Sequence, residues 1–193
     1  MPAASEFSPL NIAVLTISDT RAAAEDSSGQ FLVDAALASG HSIAARRLMH
    51  DEPVLMQALV SRWIADGAIQ AVLITGGTGL QARDSTPEAL TALFDKTVEG
   101  FGEEFRRLSS AEIGNSTIQS RALAGVANCT IIFCMPGSTG ACRTAWEGIV
   151  RDQLNSAHRP CNFSELVLAK PERDLACLDT PIPLDAARAG GTS

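Results

Sequence analysis

Short apolar runs of strand length recur along the chain, and each is followed by a segment with helical spacing. Residues 11–18, 70–75 and 129–135 are apolar at successive positions, so both faces of these predicted strands would be buried. Such strands are typical of parallel sheets, whose neighbouring strands must be joined by crossover connections that are usually helices. The alternation predicts an α/β fold in which helices cover both faces of a mostly parallel sheet.

One further strand and six helices complete the predicted arrangement. The strand lies at residues 42–49, and the helices lie at 29–39, 53–65, 87–94, 97–108, 116–126 and about 138–154. Gly40 and Pro53 are stop and start signals, because glycine adopts the positive φ of a helix end and proline lacks an N–H that the first turn leaves unpaired.

A length of 193 residues favours a single domain. We divide the chain into a flexible N-terminal arm (1–10), a folded domain (11–163) and a proline-bearing C-terminal tail (164–193) that is mobile or packed on the surface. The apolar runs are shorter than the ~18 residues of a membrane-spanning helix, and the first residues do not resemble a secretory signal. We therefore expect a cytoplasmic protein without a membrane partner.

The charge and the cysteine pattern exclude several kinds of site. With 22 Asp+Glu against 15 Lys+Arg, the formal net charge is -7, so nucleic acid is not an expected partner. The lysines, Lys96 and Lys170, do not follow a glycine loop, so the lysine of a P-loop is missing. The five cysteines form no C-x-x-C pair, which argues against a structural zinc site or a disulfide framework. Any metal should be held by oxygen atoms.

Four loops should meet at one edge of the predicted sheet. Open parallel sheets bind their ligands beyond the carboxyl ends of the strands. The segments that follow the predicted strands there are 16–19, which contains Ser18, and 50–53, 75–79 and 135–140. We predict that these four segments share one rim and that a ligand binds there.

The loop Thr75, Gly76, Gly77, Thr78 and Gly79 follows a buried strand directly. Its three glycines permit positive φ and let main-chain N–H groups approach a ligand closely, which is how a phosphate is bound without lysine. The alternative is a tight turn that uses glycine for conformation alone. The loop matches neither the dinucleotide-binding nor the P-loop pattern.

Asp84 precedes a predicted helix start. Ser85 and Glu88 have the spacing of a capping box, and Pro87 at the first helical position would make Thr86 the capping residue. Asp84 then lies outside the helix, and capping does not account for it. It is a candidate to face a ligand, and a solvated loop carboxylate is the alternative.

Asp51 stands in the same position before another helix. Pro53 at the first helical position would make Glu52 the capping residue and leave Asp51 outside. Two carboxylates beside a phosphate-binding loop would repel an anionic ligand unless a cation lies between them. Mg²⁺ suits that place because it binds one or two carboxylates together with substrate phosphates. Asp51 and Asp84 are therefore candidate metal ligands.

The fourth loop contains Pro136, Gly137 and Ser138 at the start of a predicted helix. Free N–H groups and the helix dipole favour an anion there, although Ser138 would equally serve as an ordinary helix cap. Arg83 and Arg143 could supply positive charge to the site.

Four motifs follow one another along the chain: LITGGTG at 73–79, RDSTPE at 83–88, EGFGE at 99–103 and MPGS at 135–138. Taken in this order, they resemble those of the MoaB/MogA family of molybdenum cofactor biosynthesis. FCMPGST at 133–139, ACRTAW at 141–146 and RPCNF at 159–163 look specifically like the MoaB branch. The resemblance covers residues 11–163.

The resemblance implies a three-layer α-β-α fold and a homo-oligomer, a trimer or a hexamer. It implies binding of molybdopterin, whose terminal phosphate active members adenylylate with ATP and Mg²⁺. Asp51 and Asp84 match the two family aspartates that matter for this step, and the glycine loop, Ser18 and the Pro136 to Ser138 loop would bind substrate.

Two other functions remain open from the sequence. A protein of the same pathway could bind or carry molybdopterin without transferring an adenylyl group. A generic nucleotide-binding α/β domain could use the glycine loop for another phosphate ligand.

Overall fold

A computed structural model describes residues 7–170 and contains one six-stranded sheet. In chain order the strands are β1 (Asn11–Ile17), β2 (Ser42–Met49), β3 (Ala71–Thr75), β4 (Lys96–Thr97), β5 (Leu123–Ala127) and β6 (Thr130–Met135). Their spatial order is β2-β1-β3-β6-β5-β4. The four strands β2, β1, β3 and β6 are mutually parallel, and β5 is antiparallel to both of its neighbours.

Helices connect the strands and lie on both faces of the sheet. They are α1 (Ser27–Ala38), α2 (Pro53–Ala65), α3 (Thr86–Thr91), α4 (Glu99–Ile113), α5 (Thr139–Ala145), α6 (Arg151–Leu154) and α7 (Ser164–Leu168). A π-helical segment, Trp146–Val150, joins α5 to α6, and short 3₁₀ turns lie at Ala23–Glu25 and Gly114–Gln119. No helix within residues 7–170 is long and apolar enough to cross a membrane.

Two hydrophobic cores, one on each face of the sheet, establish the three-layer arrangement. Along β1, Ile12 and Val14 belong to the core that contains residues of α1, α4 and α5. Ala13 and Leu15 belong to the core that contains residues of α2 and α3. Because strand side chains alternate between faces, a run that is apolar at every position supplies both cores. The predicted α-β-α fold with a mostly parallel sheet is confirmed.

The strand predictions are confirmed at β1, β2, β3 and β6, but the prediction of a helix at 116–126 is wrong. That stretch contains a 3₁₀ turn and the antiparallel strand β5. Its LAGVA sequence contains small residues of weak strand preference. Gly125 is needed there because a side chain at this position would collide with the ring of Phe94.

Both ends of the described chain pack against the domain. Leu10 is fully buried, and its N–H donates to Nδ1 of His41 at 3.2 Å. In α7 Val167 is buried, and Nζ of Lys170 donates to the carbonyl of Ile69 at 2.7 Å. The predicted arm and tail extend into residues 1–6 and 171–193, which lie outside the described residues, so the predicted boundaries stay predictions.

Candidate functional site

The four predicted loops line one cavity of about 350 Å³ at the carboxyl ends of β1, β3 and β6. It is lined by residues 17–21, 51, 76–79, 83–84, 119–120 and 136–137. The shared rim is thus confirmed. Residues 119–120 were not foreseen as part of it.

The glycine loop has the unusual backbone that its sequence predicts. Gly76 has φ 103° and Gly77 has φ 63°, a region that residues with side chains rarely adopt. A side chain at Gly76 would collide with the carbonyl of Ile17, and one at Gly77 would collide with Asp51 and Thr86. Glycine is therefore required both for conformation and for space.

Hydrogen bonds hold this loop between β6 and α3. The N–H of Gly76 donates to the carbonyl of Met135 at 3.0 Å. The hydroxyl of Thr86 donates to the carbonyl of Gly76 at 3.0 Å, and the N–H of Thr86 donates to the carbonyl of Gly77 at 3.0 Å. Thr86 was predicted to cap α3, but Ser85 is the N-cap residue and Thr86 is the first helical residue.

Asp51 lies on the cavity wall and is bound by Ser85. Its Oδ1 accepts a short hydrogen bond from the hydroxyl of Ser85, and its Oδ2 accepts from the N–H of Ser85 at 3.2 Å. Ser85 makes no side-chain cap of α3, so the predicted capping box is not formed by its hydroxyl. Ser85, whose spacing in the sequence resembles that of a cap, instead connects α3 to the loop after β2. Glu52 is the N-cap residue of α2, as predicted.

Asp84 also lines the cavity, and it lies in the loop that follows Gly79. Its Oδ2 accepts the N–H of Gln81 at 2.9 Å, which closes the turn between the two. A side chain at Gly79 would collide with this carboxylate. Asp51 and Asp84 therefore face one cavity, and both also hold local backbone.

Asp19 is a third carboxylate at the rim, and the sequence reasoning did not single it out. Its Oδ1 accepts the N–H of Asp51 at 3.0 Å, and its carboxylate lies 3.5 Å from Nδ1 of His50 and 3.8 Å from Nη1 of Arg83. The hydrogen bond from the Asp51 N–H, followed by the charges of Arg83 and His50, lowers the pKa of Asp19. Its position directly after Ser18 in the first rim segment was the available signal.

The loop after β6 contributes Pro136 and Gly137 to the cavity, but Ser138 does not line it. The hydroxyl of Ser138 accepts the N–H of Ala141 at 3.2 Å and caps α5. Of the two roles considered for Ser138, the geometry favours the cap.

Thr75 and Ser18 also occupy different positions relative to the cavity. Ser18 lines it, whereas Thr75 is fully buried beneath the rim. The Thr75 hydroxyl donates to the carbonyl of Pro136 at 3.1 Å and lies 3.1 Å from the thiol of Cys142. Burial raises the pKa of Cys142 to about 11, so this thiol stays protonated at neutral pH.

The positive charge of the cavity comes from Arg21 and Arg83, which both line it. Nη1 of Arg21 donates to the carbonyl of Gly137 at 3.0 Å, so this side chain joins the loop after β1 to the loop after β6. Arg143 instead stacks on the ring of Phe31 at 4.6 Å and pairs with Glu147. Arg83 lines the cavity, in agreement with the prediction that it supplies positive charge there. Arg143 does not line the cavity, and Arg21 supplies the second positive charge instead.

Within residues 7–170, no three His, Cys, Asp or Glu side chains are grouped closely enough to enclose a metal ion by themselves. Cys129, Cys134, Cys142 and Cys161 are free thiols. The acidic side chains that line the cavity are Asp19, Asp51 and Asp84.

Comparison with known proteins finds one family over most of the chain. A family described as "Probable molybdopterin binding domain" matches residues 13–156. The chain is 55% identical over 159 residues to molybdenum cofactor biosynthesis protein B of Escherichia coli (strain K12), covering 82% of this chain and 94% of that protein.

Solved structures agree with this match. A crystal structure of molybdenum cofactor biosynthesis protein B superposes with a TM-score of 0.75 at 34% identity, covering 83% of this chain and 95% of that one. The tungsten cofactor synthesizing protein MoaB from Pyrococcus furiosus superposes with a TM-score of 0.67 at 32% identity, covering 73% and 90%.

Proposed function

Because the chain belongs to the molybdenum cofactor biosynthesis family that has a molybdopterin-binding domain, we propose that its cavity binds molybdopterin and transfers an adenylyl group from ATP to the terminal phosphate. One observation carries the proposal. The glycine loop and two of the cavity's carboxylates, Asp51 and Asp84, face the same space of about 350 Å³.

The lining of the cavity suits phosphate groups. Gly76 and Gly77 have the positive φ that lets the main-chain N–H groups after Gly76 form an anion-binding concavity, while the N–H of Gly76 itself donates to the carbonyl of Met135. Arg21 and Arg83 add positive charge to the same cavity. Phosphate binding of this kind needs no lysine, which fits a chain with a formal net charge of -7.

Mg²⁺ bound with ATP is the cation that we propose for this cavity. The donor chemistry fits, because Asp51 and Asp84 offer carboxylate oxygens and Mg²⁺ commonly takes one or two carboxylates plus substrate phosphates. Within residues 7–170, hydrogen bonds engage one oxygen of Asp84, at Oδ2, and both oxygens of Asp51. When bound, such a cation neutralises the charge that develops on the phosphate oxygens.

The proposed reaction needs orientation more than proton transfer. A phosphate oxygen of molybdopterin forms a bond to the α-phosphorus of ATP, and the bond from that phosphorus to pyrophosphate breaks. The attacking oxygen is already an anion near neutral pH, so no general base is required. The main-chain N–H groups of the glycine loop and the side chains of Arg21 and Arg83 hold the anionic groups in line.

Asp84→Asn tests the role of the carboxylate. We expect release of pyrophosphate from molybdopterin, ATP and Mg²⁺ to fall at least about 100-fold, because the variant loses a charge where the cation binds. The fold should persist, since the amide oxygen of asparagine can still accept the N–H of Gln81. Asp34→Asn is the matched control, because Asp34 is an acidic residue of α1 outside the cavity.

A wild-type protein that is folded and binds molybdopterin, yet releases no pyrophosphate, would contradict adenylyl transfer. It would leave the second function, that of a molybdopterin carrier. The double engagement of Asp51 by Ser85 favours that alternative, because it gives this aspartate a structural role. Under the carrier function, Asp51→Asn lowers stability, and neither the variant nor the wild-type protein transfers an adenylyl group.

We also propose that the protein is a homo-oligomer, a trimer or a hexamer. Leu80, Ile113 and Ile118 are large apolar side chains that are exposed in the single chain, and they supply surface that an interface could cover. Sedimentation equilibrium measures the mass directly, and a monomer at micromolar concentration would contradict the proposal.

A further inference from the structure

Arg121 lies close to the cavity because β5 is antiparallel to its neighbours. The strand pairs antiparallel to β6 with Leu123 opposite Cys134, so the start of β5 lies at the edge where β3 and β6 end. Ser120 lines the cavity immediately before Arg121, whereas Arg121 does not line it. The side chain therefore acts from behind the cavity wall.

The guanidinium of Arg121 binds both ends of the loop that carries Asp84. Its Nε donates to the carbonyl of Thr78 at 3.2 Å, and its Nη2 donates to the carbonyl of Asp84 at 3.0 Å. Its Nη1 forms an ion pair with Glu88 of α3. One rigid group thus ties the glycine loop, the turn after it and α3 together.

These contacts set the direction of two N–H groups, that of Ser85, which binds the cavity residue Asp51, and that of Gly79 in the glycine loop. In a trans peptide, the carbonyl and the following N–H point in opposite directions. Holding the carbonyl of Asp84 therefore orients the N–H of Ser85, which donates to Oδ2 of Asp51 at 3.2 Å. Holding the carbonyl of Thr78 orients the N–H of Gly79 in the same way.

We propose that Arg121 is a positioning residue that holds the glycine loop and both candidate carboxylates, Asp51 and Asp84, in the arrangement needed for adenylyl transfer. It acts through Thr78, Asp84 and Ser85 and touches no substrate. The kinetic part of the proposal rests on the proposed function. The structural part, that Arg121 orders the loop, does not.

Arg121 makes an ion pair with Glu88 and hydrogen bonds to two carbonyls, and the ion pair should contribute less to holding the loop. Glu88 is exposed, and its pKa is lowered first by its own main-chain N–H and then by Arg121. Exposed pairs contribute little to stability. The planar fork that reaches two carbonyls is the part that lysine cannot reproduce, so Arg121→Lys separates geometry from charge.

The experiment compares Arg121→Gln and Arg121→Lys with Arg107→Gln. Arg107 is a matched control because it pairs only with Glu104 on the exposed side of α4 among the described contacts. We expect kcat for pyrophosphate release to fall about 100-fold in both Arg121 variants, with the KM for ATP little changed, because loss of alignment acts on the reacting groups more than on binding. The control should keep the wild-type kcat.

Hydrogen exchange of the protein without ligand provides the second measurement. Amides of residues 76–86 should exchange at least about 10-fold faster in both Arg121 variants, while amides of β1 and β3 keep the wild-type rate. A folded Arg121→Gln protein with wild-type kcat and exchange would overturn the proposal. If Arg121→Gln does not fold, Arg121→Lys decides by the same two measurements, and failure of both to fold also overturns it.

The two proposals fail in different ways. Absence of pyrophosphate from the wild-type protein removes adenylyl transfer, and the exchange rates then decide alone whether Arg121 orders the loop. Wild-type turnover that survives in the Arg121 variants removes only the positioning role.

Discussion

The loop after β3 and the loop after β6 occupy equivalent places in the fold but have different structures. Thr75 and Met135 are partners in adjacent parallel strands, so the two loops leave the sheet side by side. In the first, Gly76 and Gly77 have positive φ and line the cavity. In the second, Gly137 has no positive φ, and the hydroxyl of the next residue caps α5.

The position of a loop at the sheet edge therefore does not determine its backbone conformation or which groups its polar atoms bind. The loop after β3 does not enter a helix at once, so a helix uses none of its N–H groups, although that of Gly76 donates to the carbonyl of Met135. The loop after β6 starts α5 directly, so its hydroxyl is used by the helix itself. The difference between the two loops depends most on Gly76.

Gly76→Ala should have the largest effect on stability. Alanine at φ 103° is strained, and its methyl group would collide with the carbonyl of Ile17. We expect the free energy of unfolding to fall by about 3 kcal/mol. Gly137→Ala is the matched variant, since its methyl group would lie 3.3 Å from Cα of Gly76 and its backbone needs no positive φ. It should cost about 1 kcal/mol or less.

Urea unfolding monitored by circular dichroism measures both variants. Equal losses at the two glycines would contradict this difference, because they would show that both loops are under the same backbone constraint.

Thr75→Val tests the contact between the two loops. Valine keeps the volume but removes the hydroxyl that donates to the carbonyl of Pro136 at 3.1 Å. The thiol of Cys142 stays 3.6 Å from this partly buried carbonyl as a weak donor, so only the stronger hydrogen bond is lost. We expect a loss of about 1.5 kcal/mol in the same unfolding measurement. A loss below ~0.5 kcal/mol would indicate that the loops keep their positions independently.

Ser138→Ala should have the smallest effect. Loss of the helix cap on α5 costs about 1 kcal/mol, and molybdopterin binding should not change. Titration calorimetry with molybdopterin provides the second measurement. Weaker binding at unchanged stability would reverse the assignment and return Ser138 to the substrate-binding role expected from the sequence.

Much of the fold could be predicted because its strands are uniformly apolar. β2 and α2 have the predicted bounds, and β1, β3 and β6 differ by one residue. The antiparallel strand β5 could not be recognised, because Ala124 and Gly125 have little strand preference and owe their conformation to neighbours such as Phe94.

The site was predictable where a residue stands next to a strand end or a helix start. Asp51 and Asp84 were found in this way, and both line the cavity. Arg121 had no local signal, because its partners Thr78 and Asp84 are distant in sequence and the stretch around it was assigned to a helix. Ser85 and Glu88 have the spacing of a capping box, but spacing in the sequence does not reveal that the carboxylate of Asp51 competes for the Ser85 hydroxyl.

The bond from Arg21 to the carbonyl of Gly137 joins positions 116 residues apart, and it has a consequence for the order of events during synthesis. A growing chain can form β1, β2 and β3 early, but the wall of the cavity is incomplete until the loop after β6 has been made. Ligand can therefore be captured only after synthesis has passed Gly137. Its binding energy then stabilises the whole domain and no earlier fragment.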